Sequence, residues 1–282
     1  MTTVLVSYAD GPSVHGRNQQ ALIQSATGRG VDSVLAWGRR DLATEFRQRH
    51  RQILDHTRGA GYWLWKPYVI LEGLRRVGDG DTIIYMDAGI TIRRSLGPLV
   101  ELARRSDLVL VQNPHRNASY VKRDCFVLTG TDAPACHGAL QLDASVLLLR
   151  NTPANREFIA TWLAYCGDAR VLTDMPNQCG LPDLPGFVEH RHDQAILSVL
   201  WWRERDRLRH ALCDSDTKAS FLRHHHRRNR FVPISVWDVT PMRLRAPFAL
   251  GWGEAMRRGW RRLRHASDRS PLTPGSSGRD RT

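Results

Sequence analysis

An α/β fold with a mostly parallel central sheet is what the sequence predicts, and three observations carry the prediction. Short β-rich runs alternate with stretches of helical spacing through the first 200 residues, the pattern of strands and crossover helices. The strand-like runs "TVLVSYA" and "TIIYM" are almost wholly apolar and end in loop-forming residues, as buried strands do. The chain has 282 residues, 41% hydrophobic and 24% charged, an ordinary globular balance with enough length for one large core.

In order, Thr3 to Ala9 reads as a first strand, closed by Asp10, Gly11 and Pro12. Residues 14–28 read as a helix, "DSVLAWG" as a second strand and residues 40–57 as a second helix. Lys66 to Val77 predicts a third helix, with Val69, Ile70, Gly73, Leu74 and Val77 at helical spacing. Asp81 to Asp87 is a third strand, residues 96–105 a helix and "DLVLVQN" a fourth strand. "ASVLLLRN" (Ala144 to Asn151) is a further strand. Pro153 to Cys166 is a helix whose proline sits in the favoured first turn. Residues 170–187 are rich in proline and read as loop, and "DQAILSVLWWRER" follows as a helix. No internal repeat is present.

Residues 1–240 form the expected globular domain. Beyond it the composition shifts: Pro241 to Thr282 holds ten arginines and three acids, so +7 of the net +13 lies there. In residues 241–269, Trp252, Met256, Trp260 and Leu263 fall on one helical face with arginines around the rest. A basic amphipathic helix of this kind suits an anionic membrane surface, although a helix docked on the domain has the same pattern. Residues 270–282 read as a disordered tail.

Of the 41 basic residues only Lys66, Lys122 and Lys218 are lysine. So basic a chain favours anionic partners, but no nucleic-acid module is recognisable, which argues against a specific nucleic-acid partner. Five scattered cysteines without a CxxC pair read as reduced thiols. The N-terminus lacks the form of a signal peptide, and no apolar run nears the roughly 20 residues of a bilayer span. The expectation is a cytoplasmic protein, peripheral on the inner face of the membrane at most.

Asp87 ends an apolar strand, the edge at which open α/β sheets bind ligands. Lys66 precedes Pro67 at a predicted helix start, where N–H groups and an ammonium favour an anion. Singly, each has a plainer reading: a solvated lysine, and a turn-capping aspartate.

Together these features resemble the GT-A glycosyltransferases, in particular the group with the galactosyl- and xylosyltransferases of yeast mannans and plant xyloglucans. The resemblance spans roughly residues 60–200. In that group a lysine opens a helix and, about two dozen residues on, an apolar strand ends in Asp-x-Asp; here Lys66 and Asp87 are 21 positions apart. "QLDASVLLLRN" matches a later strand, with Asp143 near the group's asparagine, and "EHRHDQAILSVL" supplies an Asp-Gln pair, Asp193 and Gln194.

The resemblance implies a Rossmann-type nucleotide-sugar domain. It implies transfer of a hexosyl or pentosyl group from a UDP-sugar or related donor to a glycan or lipid-linked saccharide acceptor, with retention. Asp87, Asp143 and Asp193 are the candidate catalytic residues, and Lys66, Asp87, Gly89, Arg227 and Arg228 the candidate donor-binding residues, the two arginines for their bidentate grip on phosphate and not for a motif match.

One departure matters: the second Asp of the motif is Gly89, in the run Asp87-Ala88-Gly89. Three arrangements remain open. Asp87 with waters and the diphosphate holds Mg²⁺ or Mn²⁺; a histidine of "RHHHRRN", His225, completes a metal site with Asp87; or Arg227 and Arg228 neutralise the diphosphate without metal. The same glycine fits a domain that binds a nucleotide or glycan without turnover. A nucleotidyltransferase is disfavoured, because no glycine-rich phosphate loop follows the first strand.

Three further groups are ambiguous. His190 and His192 suit a metal pair, loop orientation or an acceptor contact. Lys122, Arg123 and Asp124 suit the wall of a pocket or a surface turn. Trp63 and Trp65 suit core packing or a stacking platform for a base or sugar.

Overall fold

The computed structural model describes residues 1–224. Arg227, Arg228, His225 and the segments 241–269 and 270–282 lie outside the described residues.

Six strands form one sheet: β1 (Thr3–Tyr8), β2 (Ser33–Trp37), β3 (Thr82–Met86), β5 (Leu108–Arg116), β6 (Leu140–Arg150) and β7 (His210–Asp214), in the spatial order β2-β1-β3-β6-β5-β7. Five run in one direction. β6 runs against them, pairing antiparallel with β3 and β5, so the mostly parallel expectation holds with one reversal. β4 (Ile90–Ile92) and β8 (Leu222–His224) make a small antiparallel pair.

The faces follow from the period of two. Ile83 and Tyr85 of β3 point into one core, with the helices α2 (Trp65–Arg75), α4 (Pro153–Cys166) and α5 (His192–Glu204). Ile84 and Met86 point into the other, beneath α1 (Ser13–Ala26) and α3 (Gly97–Ser106). Cover on both sides explains why the strand is apolar throughout. α2 packs closely because of Gly73: a Cβ there would come within 2.9 Å of Val6 Cγ2 and 3.0 Å of Ile83 Cδ1.

The helix expected over 40–57 is instead broken into short helical pieces, among them Thr44–Arg49 and Arg51–Leu54. The backbone leaves helical geometry at Ala43, whose N–H is tied to Tyr68 Oη on α2, and again at His50. Pro153–Cys166 is helical as expected. β6 begins at Leu140, earlier than expected, so Asp143 lies within the strand. The five cysteines are all unpaired. Among the described residues no helix is long and apolar enough to cross a membrane.

Candidate active site

A cleft of about 790 Å³ opens at the C-terminal edge of the parallel strands, the usual ligand edge of such sheets. Asp87 enters it from the end of β3, Asn113 and His115 from β5, and Asp143 and Ser145 from the opposite end of the reversed β6. Asp193 and Gln194 come from the first turn of α5. Lys218 comes from α6 (Ser215–Phe221), the helix that follows β7.

Helical spacing aims the two buried ions that meet Asp87. Lys66 shares the inward face of α2 with Val69, Ile70 and Gly73, and Asp193 shares that of α5 with Ile196, Leu197 and Leu200. Lys66 Nζ lies 3.3 Å from Asp87 Oδ1 and 2.8 Å from Asp193 Oδ2. The second contact is close but not aligned as a hydrogen bond. Tyr85, two residues before Asp87 and on the same face, donates its hydroxyl to Asp87 Oδ1 at 2.7 Å. Lys66 and Asp193 are 3% and 4% exposed.

Burial opposes the charge of Lys66, but Asp193 and Asp87 outweigh it and hold the ammonium protonated above its ordinary range. Burial pushes Asp193 up to about 6, against the pull of Lys66. Burial also raises the Tyr85 phenol, and the Asp87 charge adds to it. The group is thus one ammonium shared by two carboxylates, with a neutral phenol beside it.

Asp143 forms a second cluster in the same cleft. Ser145 donates to its Oδ1 from both N (2.9 Å) and Oγ (2.6 Å), and Lys218 Nζ donates to its Oδ2. Burial works against the Asp143 charge, yet Lys218 and Ser145 hold its carboxyl well below the usual range. The two clusters are adjacent, because Asp87 N–H donates to Ser145 O at 3.0 Å across the β3–β6 pairing.

Lys66, Asp87, Asp143 and Asp193 therefore share one cleft. Gly89 is buried in the turn that links β3 to β4. Sequence reasoning missed Lys218 and Ser145, and gave no role to Gln194, whose side chain bonds Gln141 Oε1 at 2.8 Å. One signal for Lys218 was available: in a chain that otherwise uses arginine, all three lysines are buried. A compact ammonium fits where a planar guanidinium does not.

Other expectations are corrected. The Lys122, Arg123 and Asp124 cluster does not line this cleft. Asp124 is fully buried and accepts from Gln178 N–H and Cys179 N–H, pinning the proline-rich loop. His190 and His192 do not form a metal pair, because both ring nitrogens of His190 are engaged, Nδ1 accepting from Lys122 N–H at 3.2 Å and Nε2 lying 2.9 Å from Val171 O; with His192 Nδ1 2.9 Å from Leu172 O, the two rings orient loops instead. Trp65 is core and stacks on Tyr8 at 4.1 Å. Trp63 lies at the cleft in a loop where Ala60, Tyr62 and Trp63 all have positive φ, and its ring stacks against His192.

The residues described do not fit a divalent metal. Such an ion needs several oxygens free to coordinate it, but Gly89 removes one carboxylate and the three aspartates in the cleft are already paired with lysines. No cluster of three His, Cys, Asp or Glu suited to a metal occurs among the described residues.

No family model matches the chain, and no curated protein matches it. Solved structures do. A glycosyltransferase involved in glycosylating the major capsid of PBCV-1 is 9% identical, with 80% of this chain and 94% of that chain covered and a TM-score of 0.43. Mouse xyloside xylosyltransferase 1 is 10% identical, with 83% and 100% covered and a TM-score of 0.45. A 4-diphosphocytidyl-2C-methyl-D-erythritol synthase from Anaerococcus prevotii is 9% identical, with 84% and 95% covered and a TM-score of 0.38. These similarities are of fold, and fold alone does not choose the chemistry.

Proposed function

We propose that the chain is a GT-A-type glycosyltransferase that moves a sugar from a UDP-sugar to a hydroxyl of a glycan acceptor, with retention of anomeric configuration. The observation that supports this most is the Lys66–Asp87–Asp193 cluster at the ligand edge of the sheet. It opens into a cleft lined by six cationic side chains and four carboxylates. A net positive cleft of that size suits a nucleotide diphosphate carrying a sugar.

In the proposed reaction the bond between sugar C1 and the diphosphate oxygen breaks, and its electron pair leaves with the phosphate. A new bond forms from C1 to the acceptor oxygen on the same face from which the diphosphate departs, as retention requires, and the acceptor's proton passes to a base. Asp193, pushed up to about 6, suits that role. Asp143 does not, since Lys218 and Ser145 already claim both of its oxygens. Lys66 holds Asp87 and Asp193 in register, leaving Asp87 to accept hydroxyls of the donor.

The acceptor is a cell-envelope or extracellular polysaccharide intermediate, met at the inner membrane surface through residues 241–269. Removing those residues is expected to abolish partition onto anionic liposomes, and equal partition of both forms refutes the membrane part.

The main test is UDP release from a panel of UDP-sugars. Asp87→Asn is expected to remove turnover while the chain remains folded, and unchanged turnover would sink the assignment. The anomeric configuration of the product, read by NMR, tests retention. Nucleotide binding without turnover of any donor would favour a non-catalytic binding domain, the reading that Gly89 suggests.

A further inference from the structure

The carboxylates of the cleft already have their cations. Lys66 serves Asp87 and Asp193, and Lys218 serves Asp143. A dication brought to Asp87 would sit beside a fixed ammonium and face repulsion as well as a missing ligand at Gly89. What a donor diphosphate needs is positive charge, however supplied.

Lys66 is poorly placed to supply it, being held between two carboxylates. Lys218 differs. It stands on a short helix fixed at its start by Asp214, whose Oδ1 accepts from Thr217 N–H at 2.7 Å. An ammonium has three N–H donors. Those of Lys218 reach one carboxylate, Asp143, and one hydroxyl, Ser145 Oγ at 2.8 Å. A third N–H is left for a ligand, and Lys218 is part of the cleft wall. Its anchor Ser145 is the residue bonded to Asp87 across the sheet. The ammonium therefore stands one strand away from the motif at which the expected metal would sit.

We infer that Lys218, steadied by Asp143 and Ser145, takes the place of the divalent metal and binds the donor's diphosphate. This rests on the nucleotide-sugar reading above and adds two things to it: metal-independent donor binding, and the residue responsible. Lys218 binds the diphosphate and is neutral toward the nucleoside.

The test is calorimetric binding of UDP, GDP and uridine to the full chain, in EDTA and in Mn²⁺. UDP or GDP is expected to bind equally well in both buffers. Lys218→Met is expected to weaken that nucleotide roughly 10- to 100-fold, the span of a charge-assisted hydrogen bond, and to leave uridine affinity unchanged. Lys218→Arg restores much of the loss. Asp143→Asn frees the ammonium from its carboxylate and is expected to keep or strengthen nucleotide binding. Binding that appears only with Mn²⁺ overturns the inference and leaves the transferase reading standing. So does equal loss in Lys218→Met and Asp143→Asn, which would make the pair a structural strut. Failure of UDP and GDP to bind under either condition overturns both the inference and the nucleotide-sugar reading.

Discussion

Lys66 and Lys122 make an instructive pair. Each is 3% exposed, and each has an aspartate for company. At Lys66 two carboxylates stand at 2.8 and 3.3 Å, and their charge overcomes burial. At Lys122 the nearest carboxylate, Asp124, is 3.9 Å away and its oxygens are taken by backbone N–H groups. Burial wins there and lowers the Lys122 pKa, while its ammonium donates to Met175 O. The same residue types thus build a charged cluster at the cleft in one place and a loop clamp in the other. The deciding quantity is whether the carboxylate is free to face the lysine.

The largest expected effect of breaking that contrast is at Lys66. Lys66→Met leaves Asp87 and Asp193 facing each other without a cation. Removing one partner of a buried ion pair costs about 3–5 kcal/mol, which thermal or urea unfolding will measure. A loss below about 1 kcal/mol would mean that the two carboxylates do not depend on the ammonium.

Acidification separates the two clusters of the cleft. The Asp193 pKa is raised from 3.8 to about 6, so the folded chain keeps a proton that the unfolded chain has lost. Its contribution to stability therefore falls as pH rises from about 4 to 6, by roughly 3 kcal/mol for a shift of about two units. Asp143 is depressed from the same ordinary value, so its contribution is present above pH 3.8 and is lost as pH falls further. Turnover changes with pH in the opposite direction. With Asp193 as the base it falls about tenfold per pH unit below 6. Asp193→Asn is expected to remove the stability slope between pH 4 and 6. A slope that survives the substitution assigns it to another group.

The alternation of strands and helices was legible in the sequence because apolar periodicity records burial directly. Lys66, Asp87 and Asp193 were singled out through the resemblance, but Lys66 was read as an anion site and not as the cation the two aspartates share, because the Lys66–Asp193 contact joins elements more than 100 residues apart in sequence. Lys218 was not legible: seven residues between two short strands carry little periodicity, and its partner Asp143 is 75 positions away. The reversal of β6 was equally hidden, because an apolar run such as "VLLL" carries no sign of which way the strand runs. Asp124 misled for a related reason. A charged cluster after a strand looks like a site until the loop that consumes its carboxylate is known, and that loop begins about 50 residues later.

At the clamp the expected effects are smaller, and their order is informative. Asp124→Ala strands the N–H groups of Gln178 and Cys179 and is expected to cost about 1.5–3 kcal/mol, the range for hydrogen bonds to a charged group. UDP affinity should stay within about threefold of wild type, because the loop lies outside the cleft. Lys122→Met is expected to cost about 1 kcal/mol or less. It loses one bond to Met175 O, but it also removes a buried ammonium whose charge burial already opposes, and methionine fills a similar volume. If Lys122→Met instead destabilises as much as Lys66→Met, then the 3.9 Å approach to Asp124 is a true ion pair in solution. In that case distance to a free carboxylate is not what divides the two lysines.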